Sequence, residues 1–330
     1  MSNHKPVELL AIGDVVTDAF IKLADAHVHK NLDEVAQELC VRFGDKIPYE
    51  SVVVVRAVGN CANAAVSGAR LGLASALLST VGDDDEGKLI LKTLDEHGVI
   101  TDHMATNKDF PTNYHYVLWY GVERTILVKH APFPYTFPAG LMPKWIYLTS
   151  MGETSAAFHD KIATWLDSHP DVGLAFQPGT FQMKLGKEKL ATIYKNTNIF
   201  FCNVEEAQRI LGSIEKDKKV LMTELAKLGP KTIVMTDGID GAYAYDGEKF
   251  WFMPVYPHTP IERTGAGDAF ASTITICMIK GMSLSEALTW APINAMSVTQ
   301  KVGAQAGLLT EAELKDLLAK APADYKLKEI

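Results

Sequence analysis

The sequence of 330 residues has little of what marks secreted, zinc-binding or membrane proteins. Its four cysteines share no C-x-x-C spacing and no histidine pair completes a zinc pattern, so we expect buried free thiols. No apolar run approaches the roughly 20 residues that a membrane helix needs, and the N terminus lacks the apolar core of a signal peptide. These absences predict a cytoplasmic protein without a membrane partner.

Basic residues do not dominate either, because 32 lysines and arginines face 40 acidic residues and leave a formal net charge of −8. A nucleic-acid surface needs clustered basic residues, so we expect no nucleic-acid partner. Small anionic ligands are not excluded, because a local group of backbone N–H donors can hold phosphate on an acidic protein.

Apolar segments of strand length alternate with amphipathic helical segments along most of the chain. This alternation predicts a parallel sheet that is covered by helices on both faces. The strands are apolar throughout rather than at every second residue, which agrees with burial on both sides. The predicted strands are 7–12, 76–81, 145–149, 172–176, 198–202 and 232–236, with a hairpin at 241–245 and 249–253. The predicted helices are 60–71, 86–97, 156–168, 205–211, 220–228 and 269–279.

Two segments do not fit the strand–helix alternation. The extended runs 114–120 and 124–129 flank Gly121-Val122-Glu123, which predicts a β-hairpin. The segment 21–55 contains a predicted helix at 32–43 and a β-branched run at 51–55. We interpret these parts as a small accessory sheet, or lid, within one domain.

A glycine-rich turn, Gly265-Ala266-Gly267, comes directly before Asp268 and an apolar helical pattern. Backbone N–H groups at a helix start lack partners within the helix, and the helix dipole adds partial positive charge there, so such a turn can hold a phosphate. Asp268 is a poor phosphate ligand, because like charges repel, but it can act as the base for a hydroxyl that attacks the phosphate. The segment predicts a phosphoryl-transfer centre, and the alternative is a tight turn before a buried helix.

Polar residues also follow two predicted strands, at the edge where open α/β sheets bind ligands. Asn203 and Glu206 have the spacing of a helix capping box. At that edge they could also order water around Mg²⁺, which needs only one or two protein groups besides phosphates. Asp14 and Asp18 could accept hydrogen bonds from sugar hydroxyls, with solvated loop acids as the alternative.

The order of the motifs resembles the PfkB family of carbohydrate kinases, from about Glu8 to Leu309. The segment from Glu262 to Asp268 is similar to the family's D-T-x-G-A-G-D, and the segment that begins at Gly59 is similar to its N-terminal signature. The other motifs follow in the expected order and are 81–87, 177–180, 203–206, 236–241 and 303–305.

The resemblance implies an α/β fold, a ribokinase-like three-layer sandwich with a mostly parallel central sheet and a small β-lid. It implies a single kinase domain over residues 1–330, with lid elements from about 16–57 and 108–131.

Each residue that matches a family motif receives a role from the resemblance. The catalytic base and the backbone anion hole for the transferred phosphate are Asp268 with Gly265, Ala266 and Gly267. The residues that organise magnesium and phosphate are Asn203 and Glu206, with Glu206 acting on Mg²⁺ through water. The nucleotide-lining positions are Thr236, Gly238, Gly241, Asn294 and Ala304. The substrate-contacting positions are Asp14, Asp18, Gly59, Asn60 and Asn63.

The chain departs from the family pattern at Glu262, where the family has aspartate, and Arg263 follows it. In the family that aspartate helps to hold a monovalent cation, so Glu262 and Thr264 are the candidate cation site here. A longer glutamate beside a cationic arginine predicts weakened activation by K⁺.

The resemblance implies an ATP- and Mg²⁺-dependent phosphotransferase that acts on a hydroxymethyl group of a small sugar. The alternatives are a nucleoside kinase, a phosphosugar kinase and a non-catalytic protein that binds sugar or nucleotide. Arg124 and Lys129 could bind a phosphate already present on the substrate, or lie at a solvated lid edge. Exposed lid strands could pair between two copies, which predicts a homodimer.

Overall fold

The computed structural model describes residues 6–30, 37–121 and 123–330. Within these residues the strands are β1 (Leu9–Ile12), β2 (Val16–Leu23), β3 (His27–Lys30), β4 (Gln37–Cys40), β5 (Tyr49–Val58), β6 (Ser75–Leu78), β7 (Thr80–Gly82), β8 (Ala105–Asn107), β9 (Tyr114–Tyr120), β10 (Glu123–Leu127), β11 (Trp145–Leu148), β12 (Gly173–Phe176), β13 (Ile199–Asn203), β14 (Thr232–Thr236), β15 (Ala242–Tyr245), β16 (Phe250–Met253) and β17 (Lys328–Glu329). The helices are α1 (Asn60–Arg70), α2 (Asp85–Glu96), α3 (Ala156–Asp167), α4 (Thr180–Leu185), α5 (Ala191–Asn196), α6 (Val204–Leu211), α7 (Lys218–Ala226), α8 (Ala266–Ile279), α9 (Leu284–Thr299) and α10 (Glu311–Ala319).

The main sheet has the strand order β17-β16-β15-β14-β13-β12-β11-β1-β6. Neighbouring strands from β14 to β6 are parallel, and β15, β16 and β17 continue the sheet antiparallel. The strand–helix alternation of the sequence predicts this parallel core, because a parallel connection needs a crossover helix.

Helices cover both faces of the main sheet. Leu9 and Ala11 of β1 pack into one hydrophobic cluster, which includes side chains of α1, α8 and α9. Leu10 and Ile12 pack into the other, which includes side chains of α3 and α7. Successive strand residues point to opposite faces, so the predicted three-layer arrangement of helix, sheet and helix is confirmed.

A second sheet, the small sheet, has the order β10-β9-β2-β5. The predicted hairpin is present as β9 and β10, although Val122 in its turn lies outside the described residues. In this sheet β2 is paired in parallel with β9 and antiparallel with β5. Asp18 of β2 pairs with Val55 of β5 on one side and with His115 of β9 on the other. Paired residues lie on the same face of a sheet, so the polar groups of Asp18 and His115 lie next to each other.

The helix predicted at 32–43 is wrong over residues 37–40, which form β4 and pair with β3. Residues 31–36 lie outside the described part of the chain. The first two residues of β4 are polar and exposed, so its sequence shows no alternation of apolar and polar residues that would predict a strand. The pairing with β3 decides the conformation instead. The strand predicted at 76–81 divides into β6 and β7, which belong to different sheets.

Cys61, Cys202 and Cys277 are buried and free, as expected, whereas Cys40 on β4 is only partly buried. Across the described residues, no helix combines the length and apolarity required to traverse a bilayer.

Candidate active site

A cavity of about 600 Å³ opens between the main sheet and the small sheet. The ends of β12 and β13 contribute Gln177 and Asn203 to its wall, and the loop after β1 contributes Asp14. The small sheet contributes Asp18 and Arg124. Ligands of open parallel sheets bind at the carboxyl ends of the strands, so the cavity lies where the fold places binding sites.

Asp268 lies in the first turn of α8, is buried, and faces this cavity. The side-chain amides of Asn60 and Gln177 donate to its Oδ1 over 3.0 and 3.2 Å, and Asn63 donates to its Oδ2 over 2.8 Å. Burial raises the pKa of Asp268, and these hydrogen bonds together with the charge of Arg124 oppose the rise. The carboxylate is therefore held in a fixed orientation, and burial makes it easier to protonate than an exposed aspartate.

The turn before α8 brings bare backbone to the same cavity. Gly265 has a left-handed φ of 79°, and no side chain caps the helix. A Cβ on Gly265 would lie 2.4 Å from Ala304 Cβ, whereas a Cβ on Gly267 would meet open space. The first turn of a helix presents unpaired N–H groups, although the N–H of Ala266 makes a long contact of 3.4 Å with the carbonyl oxygen of Arg263. Gly265 and Gly267, with Ala266 between them, can form an anion site beside Asp268.

A second cavity of about 600 Å³ lies on the other side of this turn. Thr236, Gly238 and Gly241 line it, as predicted for a nucleotide site, and most of the remaining wall is apolar. The two cavities share Thr236, Gly267, Arg263 and Phe270. The anion site therefore lies where the two cavities meet.

Asn203 and Glu206 form the predicted capping box and also line the first cavity. The N–H of Glu206 donates to Asn203 Oδ1 over 2.8 Å, and the N–H of Asn203 donates to Glu206 Oε2 over 2.9 Å. Burial raises the pKa of Glu206, and the negative charge of Asp268 adds to that rise. Asn203 and Glu206 can therefore cap α6 and still face a ligand in the first cavity.

The residues fit a magnesium ion that is held mainly by phosphate and water. In residues 6–30, 37–121 and 123–330, no cluster of three or more His, Cys, Asp or Glu side chains could hold a metal by itself. Mg²⁺ needs only one or two carboxylates besides phosphates. Glu206, whose ionised form is disfavoured by burial, would gain from a nearby divalent cation.

Asp14 and Asp18 differ sharply in their surroundings. Asp14 Oδ2 lies 2.6 Å from His130 Nδ1 and accepts from the N–H of Gly152 over 2.9 Å, while Tyr135 donates to Oδ1 over 2.9 Å. Asp18 Oδ1 is buried without a hydrogen-bond partner, 3.4 Å from His115 Nδ1. The Asp14 carboxylate is therefore satisfied by the protein, whereas one oxygen of Asp18 is not.

His115 adds a second unsatisfied atom, because its Nε2 is buried and has no partner. His115 and Asp18 both line the first cavity, although these two atoms are themselves buried. The two side chains therefore carry unused hydrogen-bonding capacity next to the cavity.

Asn60 and Asn63 line the first cavity, but their amide donors are bound to Asp268. Asn63 Oδ1 in turn accepts from Gln305 Nε2 over 3.0 Å. Gly59 has a φ of 102°, and a Cβ there would lie 2.7 Å from the carbonyl oxygen of Asp14. The structure thus links these three positions first to the shape of the site and to the orientation of Asp268.

Asn294 is not brought to either cavity wall. Its Nδ2 donates to Thr273 Oγ1 over 2.8 Å and its Oδ1 accepts from the N–H of Leu309 over 2.9 Å. Ala304 and Thr264 do line the first cavity, whereas Glu262 lies buried behind it.

Sequence reasoning missed the contact of Gln177 with Asp268. Gln177 directly follows β12, and its Oε1 accepts a hydrogen bond from the buried hydroxyl of Tyr147. A polar residue at the end of a buried parallel strand is the signal that could have identified it. The histidines 115 and 130 gave no comparable signal, because they lie in the small sheet and in a loop.

Comparison with known proteins agrees with this geometry. The model of the pfkB family carbohydrate kinase matches residues 28–311. Ribokinase of Bacillus subtilis is 28% identical over 268 residues, which cover 79% of this chain and 87% of that protein. The structure of Arabidopsis thaliana ribokinase complexed with ribose and ATP superposes with a TM-score of 0.79 at 20% identity, covering 95% of this chain and 99% of that chain.

The structure of the nucleoside kinase of Methanocaldococcus jannaschii superposes with a TM-score of 0.76 at 19% identity. The superposition covers 96% of this chain and 100% of that chain. These superpositions confirm the ribokinase-like fold with its small β-lid. The family match extends over most of the chain and includes the Asp268 turn, the second cavity and most of the small sheet. It includes the first cavity except for Asp14, Val16 and Asp18, which precede the matched residues. Members of the family are phosphotransferases. The chain therefore belongs to the pfkB family of carbohydrate kinases.

Proposed function

We propose that the protein transfers the γ-phosphate of ATP to a hydroxymethyl group of a small sugar. The observation that carries the proposal is the position of Asp268, whose carboxylate faces the first cavity beside the bare backbone of Gly265 and Gly267, where the second cavity begins. A hydroxyl in the first cavity and a phosphate from the second would meet at this point.

In the proposed reaction the substrate oxygen forms a bond to phosphorus while the bond from phosphorus to the leaving diphosphate breaks. The hydroxyl proton passes to Asp268. Transfer of this kind has a loose transition state, so positioning and charge stabilisation matter most. The N–H groups of Gly265 and Gly267 stabilise the negative charge of the transferred group, in the manner of an oxyanion hole. The N–H of Ala266 joins them when it leaves its 3.4 Å contact with the carbonyl oxygen of Arg263.

The second cavity is proposed to bind the nucleotide, with Thr236, Gly238 and Gly241 in its wall. Bound magnesium would neutralise phosphate charge, and Glu206 would hold it through water, oriented by Asn203. We propose that residues 1–330 act as one domain and that the small sheet, with elements from about 16–57 and 108–131, is the lid that excludes water during transfer.

The test is ATP consumption measured over a panel of sugars, sugar phosphates and nucleosides. Turnover with a free sugar as the best acceptor supports the proposal. Turnover only with nucleosides or with phosphosugars assigns the acceptor to another class, and measurable binding without turnover for every compound contradicts the enzymatic function.

Asp18→Asn is expected to raise KM for the acceptor by about 10–150-fold, with a smaller effect on KM for ATP. The Asp18 carboxylate, which lines the first cavity, is proposed to accept a substrate hydroxyl, and hydrogen bonds to charged groups are worth about 1.5–3 kcal/mol. Initial-rate kinetics with both substrates varied will measure the two constants. Asp85→Asn, at an acid whose side chain is 95% exposed, is the control, and equal constants for Asp18→Asn and wild type would refute this role.

We further propose that two copies associate through the lid face that points away from the cavity. Val54, Ala19, Tyr116 and Leu127 lie in one row across the four strands, and three of these side chains are 37–51% exposed. Light scattering is expected to give twice the chain mass of 36.1 kDa. Tyr116→Glu is expected to give a monomer, and Val220→Glu, at an exposed valine on α7, a dimer; a wild-type monomer excludes the association.

A further inference from the structure

Two charged dipeptides meet between the lid and the anion-site turn. Arg124 Nη1 lies 3.6 Å from Glu262 Oε1, and Arg263 Nη1 lies 3.5 Å from Glu123 Oε1. The pair Glu123-Arg124 begins β10, an edge strand of the lid, while Glu262-Arg263 lies just before Gly265. Each acid is paired with the other dipeptide's base, so the two ion pairs join the lid to the turn proposed to hold the transferred phosphate.

The two ion pairs differ in burial. Glu123 and Arg263 have side chains that are 70% and 51% exposed, and exposed pairs contribute little stability. The Glu262 side chain is only 3% exposed, and a buried carboxylate is costly unless a cation or hydrogen bonds compensate it. Across residues 6–30, 37–121 and 123–330, Arg124 is the only cationic side chain within 4 Å of Glu262.

The inner pair is incompletely formed. Glu262 Oε2 and Arg124 Nε are both buried and have no hydrogen-bond partner. One is an acceptor and the other a donor, and arginine commonly binds a carboxylate through two parallel N–H···O bonds. Each side chain therefore has an unused atom of the kind that a complete two-bond pair between Arg124 and Glu262 requires.

The predicted monovalent-cation site at Glu262 and Thr264 does not fit these contacts. Glu262 Oε1 already accepts from the N–H of Thr264 over 2.6 Å and from its hydroxyl, and the Arg124 guanidinium faces the same carboxylate. A potassium ion beside Glu262 would be repelled by this fixed positive charge.

We propose that Glu123-Arg124 and Glu262-Arg263 form a latch that closes the lid onto the anion-site turn, and that Arg124 supplies at Glu262 the positive charge of a monovalent cation. Arg124 is then a positioning residue for the turn. The part of this inference that concerns turnover rests on the proposed kinase function, whereas the pairing of Arg124 with Glu262 can be tested without it.

The first experiment compares KCl, NaCl and choline chloride at equal ionic strength. Wild-type turnover is expected to agree within about twofold among the salts, because the charge at Glu262 is built in. Arg124→Ala is expected to lose at least about tenfold in choline chloride and to recover turnover in KCl, with a K⁺-specific rise in its unfolding midpoint. Lys22→Ala, which breaks the exposed lid pair with Glu50, is the control and is expected to follow wild type.

The second experiment is a double-mutant cycle read by thermal unfolding. Arg124→Ala is expected to lower the midpoint, and Glu262→Gln added to it is expected to restore most of the loss, because no buried charge then lacks a partner. Additive losses, or strong K⁺ activation of the wild type, overturn the latch. Absence of wild-type turnover in every salt refutes the kinase function instead, and the unfolding cycle still decides whether Arg124 and Glu262 are coupled.

Discussion

Asp268→Asn is expected to lower turnover by about 10²–10⁴-fold, the usual contribution of a general base, and to leave nucleotide binding nearly unchanged. The variant keeps the side-chain size but cannot accept the proton of the attacking hydroxyl. Steady-state kinetics and titration with a non-hydrolysable ATP analogue measure the two effects. Turnover within a few-fold of wild type would falsify the assignment of Asp268 as the base.

The pH profile gives a second readout of the same residue. Burial raises the pKa of Asp268, and the base must be ionised, so kcat/KM is expected to fall as pH drops through a value above the ordinary aspartate pKa of about 3.9. The same burial makes the ionised form costly to fold, and that cost is absent at low pH and appears as pH rises through the raised pKa. Asp268→Asn is therefore expected to keep its thermal stability at pH 7.

Gln177→Glu is the matched variant for the pH profile. It retains an acceptor for Tyr147 but replaces a donor to Asp268 with a carboxylic acid. A neighbouring negative charge disfavours ionisation of Asp268, so the acidic limb is expected to move to higher pH. An unshifted limb would indicate that another group controls it.

Gly265→Ala and Gly267→Ala are expected to fail for different reasons. At Gly265 the left-handed φ of 79° costs an alanine about 1–2 kcal/mol, and its Cβ would also lie 2.4 Å from Ala304 Cβ. We therefore expect a lower unfolding midpoint together with a loss of turnover. At Gly267 the new methyl group meets no protein atom within 4 Å, so stability is expected to hold. The backbone N–H is retained, but the methyl group would stand in the cavity wall where the phosphate is proposed to approach. Turnover is therefore expected to fall by about 10²-fold, the size of effect caused by losing one contact of an oxyanion hole.

Gly212→Ala separates backbone strain from contact in this comparison. Gly212 caps α6 with a φ of 65°, and no atom lies within 4 Å of a Cβ built there. The variant is expected to show the backbone cost alone, with wild-type turnover. If Gly265→Ala is no less stable than Gly212→Ala, the close approach to Ala304 is not what excludes a side chain.

Local sequence patterns predicted the alternating strands and helices of the main sheet. Continuous apolar runs located β1, β11, β12, β13 and β14 to within about two residues, because burial on both faces leaves an unmistakable composition. The glycine-rich turn also predicted that Asp268 lies at the start of a helix, which α8 confirms, because glycine and alanine next to a helix start are recognisable without tertiary information.

Contacts across long stretches of chain could not be predicted in this way. Asn294 matches a nucleotide position by motif, but its amide is occupied by Thr273 and Leu309 in the folded chain. The pairing of Arg124 with Glu262 joins residues far apart in sequence, and only the docking of the small sheet brings them together. The β4 strand depended likewise on its partner β3, and this pairing outweighed the helical pattern read over residues 32–43.

Different segments of the chain line the two cavities, and this has a consequence for acceptor specificity. Residues 236–299 supply the entire wall of the second cavity, whereas Asp18, His115 and His130 at the far end of the first come from the N-terminal part. With the proposed acceptor in the first cavity and the proposed donor in the second, substitutions among these early residues are expected to alter which alcohol is phosphorylated while the phosphate donor stays the same. Exchanging the first 130 residues or so between two relatives is then expected to change the acceptor and to leave the donor cavity unchanged.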